Sequence, residues 1–172
     1  MPFSLPLSHK GRPVSIGSML KSHRRPGRFV VSGVLGDAHT WNLSFLQQTL
    51  HDAGHEVVNL GAGQSGQEVV RACLGAAPDV LVISSVDGEG HHDAARLVRT
   101  VREHPALEPL RVVFGGRLAP EGEADAGRER AQALTRSGFD AVFECAGNLT
   151  GFGDFLCELR IGRRRSSAAR AA

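Results

Sequence analysis

From Phe29 onward, short apolar runs rich in β-branched residues alternate with amphipathic stretches of helical length, and few architectures accommodate such an alternation. The periodicity predicts strands over 29–34, 56–60, 80–85, 110–114 and 140–143. It predicts helices over 41–53, 66–76, 90–103, 124–137 and 150–160, with Gly54 and Gly138 placed to close two of them in a left-handed turn. The runs Val80-Leu-Val-Ile83 and Arg111-Val-Val-Phe114 are too continuously apolar for strands wetted on one face. Both faces are therefore expected to be covered, as in a parallel sheet flanked by helices. Five such units give a single flavodoxin-like (Rossmann-like) doubly wound α/β domain with strand order 2-1-3-4-5. Its ligand crevice lies at the C-terminal ends of strands 1 and 3, where the winding reverses.

Composition limits what else the chain can be. No apolar run approaches the roughly 20 residues of a membrane helix, and Pro2, Pro6, His9 and Lys10 interrupt the N-terminus where a signal peptide would need an apolar core. A soluble cytoplasmic protein is the expectation. Cys73, Cys145 and Cys157 are odd in number, lie among apolar neighbours and read as structural free thiols. Charge is segregated: residues 1–28 hold six of the 20 bases, residues 160–172 hold five, and neither end holds an acid, so all 18 acids lie between them. The ends, poor in large apolar residues, are expected to be flexible. The domain reading is a basic extension over 1–28, a folded body over 29–160 and an Arg/Ala-rich tail over 161–172. A body with one Trp and no Tyr lacks the repeated aromatics that stack bases, so no nucleic-acid partner is expected.

The topology singles out two loops in advance. Gly36-Asp37-Ala38-His39-Thr40-Trp41-Asn42 follows strand 1, and Ser84-Ser85-Val86-Asp87-Gly88-Glu89-Gly90 follows strand 3. An imidazole binds a transition metal through one nitrogen while the other donates to a carboxylate that fixes its tautomer and raises its basicity. His39 and Asp37 have the spacing for that arrangement.

The order Asp37-x-His39, then Ser84-x-Val86, then Gly115-Gly116 resembles the D-x-H-x-x-G, S-x-L, G-G signature of cobalamin-dependent mutases and methionine synthase. The segments 53–60, 84–90 and 137–143 look most similar to the small (sigma) subunit of glutamate (methylaspartate) mutase. The likeness spans about residues 29–160. The resemblance implies a cobalamin-binding domain in which His39 is the lower axial ligand of cobalt, Asp37 orients it, and Ala38 and Thr40 flank it. It further implies that the cofactor's nucleotide tail enters a slot between strands 1 and 3. Ser84 would meet the buried benzimidazole, with Ser85, Val86 and Gly88 around it. Gly115 and Gly116 would allow close approach of tail and ring, and Gly147 would be a tail contact after strand 5. The implied cofactor is adenosylcobalamin, and the implied partner is a larger TIM-barrel subunit that completes a carbon-skeleton isomerase in a hetero-oligomer. No catalytic residue is expected on this chain alone. Two positions differ from the signature: Asn42, preceded by Trp41, stands in place of glycine, and Val86 in place of leucine.

Other readings have some footing. Gly61-x-Gly63-x-x-Gly66, with Asp87 further on, matches a dinucleotide fingerprint, although it belongs to an edge strand in this order. A corrinoid-binding regulator or carrier on the same scaffold is another alternative. His91-His92-Asp93 does not suit one metal ion, since successive helical residues diverge by about 100°; Asp93 fits a helix start instead.

Overall fold

The computed structural model describes residues 26–120, 122–144 and 150–158. Five strands, β1 (Arg28–Gly33), β2 (Glu56–Asn59), β3 (Val80–Ser85), β4 (Arg111–Gly116) and β5 (Ala141–Glu144), form one sheet in the order β2-β1-β3-β4-β5. Every neighbouring pair is parallel. Between and after them run α1 (Trp41–Asp52), α2 (Gly66–Ala76), α3 (His91–Arg102), α4 (Ala124–Ser137) and α5 (Thr150–Glu158), with a short 3-10 turn at Pro105–Leu107. The predicted fold class, order and ten main elements are all present, with small shifts at their ends. Among the described residues, no helix is long and apolar enough to cross a membrane.

The period-two alternation of the central strands divides the core into two layers. Val30, Leu81, Ile83, Val112 and Phe114 face α2, α3 and α4, while Phe29, Val31, Val80, Val82 and Val113 face α1 and α5. These strand residues are at most 1% exposed, which explains the unbroken apolar runs. Each such burial stabilises by about 1.5–3 kcal/mol relative to an exposed side chain. β2 lies at the sheet edge, and its residues alternate between exposed and half-buried. On α3, Ala94, Leu97, Val98 and Val101 repeat at three- and four-residue spacing and form its buried stripe.

Local chemistry sets the element ends. The α2 start carries a capping box, in which Ser65 Oγ accepts from the Glu68 amide and the Glu68 carboxylate accepts from the Ser65 amide. That helix ends at Ala77, whose φ of 45° makes it a left-handed cap without glycine. Gly54 and Gly138 take φ of 88° and 123°, as the sequence suggests. One boundary differs with consequence: β4 continues past residue 114 through Gly115 and Gly116, which pair with Ser84 and Ser85. Ladder pairing holds both glycines in the strand, where the pattern of apolar residues alone reads a loop. Arg28 also joins the sheet, its amide donating to Asp79 Oδ2 at 2.8 Å and its guanidinium to the Ala76 carbonyl at 2.8 Å. Most of the two expected basic ends lies outside the described residues.

Candidate functional site at the sheet switch point

The loops after β1 and β3 meet, and Asp37 is where they join. Its side chain is 1% exposed, and four donors converge on its two oxygens. Oδ1 accepts from the His39 amide at 2.9 Å and from His39 Nδ1 at 2.6 Å. Oδ2 accepts from Ser85 Oγ at 2.8 Å and from the Val86 amide at 2.8 Å. Burial alone would push this carboxyl up; the four hydrogen bonds outweigh it and hold the pKa at about 2. An ionised carboxylate only accepts, so the proton between the two side chains sits on His39 Nδ1. Nε2 is then the nitrogen presented to a ligand, on a side chain that is 53% exposed.

The second loop is braced from within. Asp87 Oδ1 accepts from the amides of Glu89 and Gly90, both at 2.8 Å, and lies 3.1 Å from Ser85 Oγ, whose one proton goes to the nearer Asp37. Gly88 turns the loop at φ 86°, and its carbonyl accepts from Arg130. Ala38 and Thr40 are exposed on either side of His39, and Val86 is half-buried.

Beneath this junction the sheet carries a row of small residues. Gly33 is in register with Ser84 and Ser84 with Gly115, one step beyond the Val31, Val82 and Val113 row that packs under α1 and α5. A Cβ built on Gly115 would meet nothing within 4 Å, so the space above it is open. Gly116 is different: a Cβ there would fall 1.8 Å from the Ser85 carbonyl oxygen, so strand packing requires its smallness. Ser84 is 3% exposed, and its Oγ accepts from Asn42 Nδ2 at 2.8 Å. Asn42 reaches this row from the start of α1, whereas Trp41 turns outward and is 55% exposed. The expected contact at Gly147 lies outside the described residues.

Sequence reasoning missed two members of this site. Gly33 is inconspicuous until the register places it beside Ser84, since nothing in its neighbourhood marks it. Asn42 is legible as a departure from a motif, yet only the fold shows where its side chain goes. Conversely, the Gly61, Gly63 and Gly66 turn reaches the junction only through its backbone: the Gly61 carbonyl accepts from the Gly33 amide at 2.9 Å, and Ala62 packs over Gly33. It caps the edge strand, next to an open pocket lined by Ser65, Asp93 and Arg96 among others, and the Glu68 carboxylate sits at the α2 N-terminus on the Ser65 amide, where it would repel a phosphate. Asp87, the partner such a reading requires, is used up in bracing its own loop.

The residues present suit a corrinoid. A carboxylate-oriented imidazole would hold a metal through its free nitrogen, and the open space at Gly115 with an unpaired buried amide oxygen on Asn42 offers room and polarity nearby. Residues 27–143 match the family model described as the B12 binding domain. The chain belongs to the B12-binding domain family. Within it, the chain is 37% identical to glutamate mutase sigma subunit 1 of Haloarcula marismortui, over 68% of this chain and 76% of that protein. It is 27% identical to the glutamate mutase sigma subunit of Fusobacterium nucleatum, over 67% of this chain and 83% of that one. A cobalamin-binding protein of Desulfitobacterium hafniense shares the fold, with a TM-score of 0.59 and 19% identity over 77% of this chain and 60% of that chain. The B12-binding domain match covers the whole sheet except the last residue of β5, and so includes both loops of the switch point.

Proposed function

We propose that this chain is the cobalamin-binding small subunit of a glutamate (methylaspartate) mutase-like isomerase. It presents adenosylcobalamin to a separate TIM-barrel subunit that holds L-glutamate for 1,2-rearrangement to 3-methylaspartate. The observation that carries this reading is the Asp37–His39 pair, an imidazole fixed at 2.6 Å by a buried carboxylate at the sheet switch point. The sigma-subunit relatives supply the reaction class. When bound, adenosylcobalamin supplies a cobalt–carbon bond that breaks homolytically and so starts radical chemistry. The chain's own residues bind and orient. His39 would hold the cobalt through Nε2, Asp37 holds the ring in one tautomer, and Ser84 with Gly115 would line the place of the nucleotide tail. In this reading the protein works in the cytoplasm.

The test is an absorbance titration of the full chain with hydroxocobalamin, wild type beside His39→Ala, followed by electron paramagnetic resonance of the cob(II)alamin form. Protein grown with nitrogen-15 histidine distinguishes a protein nitrogen on cobalt from the cofactor's own base. The expected result is a splitting that changes with the label in wild type and is lost in His39→Ala. A splitting indifferent to the label would overturn the assignment of His39. Mixing the loaded chain with a barrel subunit and following 3-methylaspartate then tests the reaction class.

A further inference from the structure

Asn42 is the second residue of α1, at the position where the signature closes on glycine, and it is 6% exposed. Its Nδ2 donates to Ser84 Oγ at 2.8 Å. Its Oδ1 is buried and has no hydrogen-bond partner. Ser84 stands between Gly33, whose space Ala62 and Leu43 fill, and Gly115, whose space is open, so the amide lies beside that opening and engages the hydroxyl assigned to the tail. Purely structural packing would not select such an amide, because a buried carbonyl oxygen without a donor costs free energy that an apolar side chain would avoid.

We propose that Asn42 is a displaceable plug in the nucleotide-tail slot, so that this chain favours corrinoids lacking a nucleotide tail more than the same site with glycine would. The proposal rests on the cobalamin reading of this site. The plug is held lightly. The single hydrogen bond of its side chain goes to Ser84, its carbonyl is unsatisfied, and Thr40 makes no side-chain cap to stiffen the start of α1. Swinging outward breaks that bond and takes a buried side chain out of its packing, a cost the entering tail has to meet. A tail must move the amide before it can enter, whereas a corrinoid without one meets only His39 and the rim.

Affinities of the full chain for hydroxocobalamin and for diaquocobinamide, which lacks the nucleotide, are measured for wild type, Asn42→Gly, Asn42→Ala and Asn42→Gln. Thermal melts by circular dichroism accompany each variant. The two small variants are expected to bind hydroxocobalamin about tenfold more tightly, the scale of one hydrogen bond, and to leave diaquocobinamide within about twofold. Asn42→Gln, which keeps an amide in the slot, stays near wild type. Unchanged or weaker cobalamin binding by both small variants overturns the plug, and weaker binding makes Asn42 a tail contact instead. An equal shift for both corrinoids also overturns it, as a general effect on the fold. If no chain binds either corrinoid, the cobalamin reading itself is overturned.

Discussion

A carboxylate removed from water must find donors for its lone pairs, and Asp37 finds four of them within two loops. It is both the orienting group for His39 and the clasp between β1 and β3. Asp37→Asn replaces one acceptor oxygen by an amide NH2 group that faces donors, so it is expected to cost about 1–3 kcal/mol of stability in urea unfolding and to weaken corrinoid binding as well. His39→Ala takes one of those donors from the buried carboxylate, so it should lose the ligand and also lower the urea midpoint, by less than Asp37→Asn because the His39 amide, Ser85 and Val86 still donate. The chain's single Trp offers a direct reading of occupancy. Trp41 is exposed two residues from His39, and a corrinoid absorbs where indole emits, so saturating hydroxocobalamin is expected to quench its fluorescence by more than half. The His39→Ala variant should require higher concentrations for the same quench.

At the scale of elements, two adjacent glycines at the end of β4 have different causes. Gly116 is small because the Ser85 carbonyl of the neighbouring strand occupies the space, and Gly115 is small over open space. Gly116→Ala is expected to destabilise the fold by several kcal/mol, on the order of an overpacked core position. Gly115→Ala should leave stability unchanged or raise it by about 0.5 kcal/mol, because alanine reduces the freedom of the unfolded chain. It should weaken cobalamin binding, because its methyl enters that open space. Paired unfolding curves and titrations read both effects. The capping box on α2 has a separate weight: Ser65→Ala is expected to cost about 1 kcal/mol, with corrinoid affinity unaffected.

At the scale of the molecule, two apolar layers on either side of one parallel sheet make a cooperative body, and Cys73 reports on its integrity. Burial pushes that thiol up to about 12, so at neutral pH it is protonated and sheltered. Alkylation of the peptide containing Cys73 is expected only when the body opens, at a rate that follows urea. The fold class, the strand order and the two loops of the site are legible in the chain's local pattern. Apolar periodicity and unbroken β-rich runs are local signals, and right-handed βα crossovers leave little choice of topology. The Asp37 and His39 pair is legible there too, because two residues on one short turn meet wherever that turn is placed. The remaining features come from packing between distant segments. Gly33 beside Ser84, Gly115 in a strand rather than a loop, and Asn42 beside the opening at Gly115 with Trp41 turned outward all depend on register and on how α1 sits on the sheet. Those are contacts between residues far apart in the chain, set by packing over the whole core, and no local pattern encodes them.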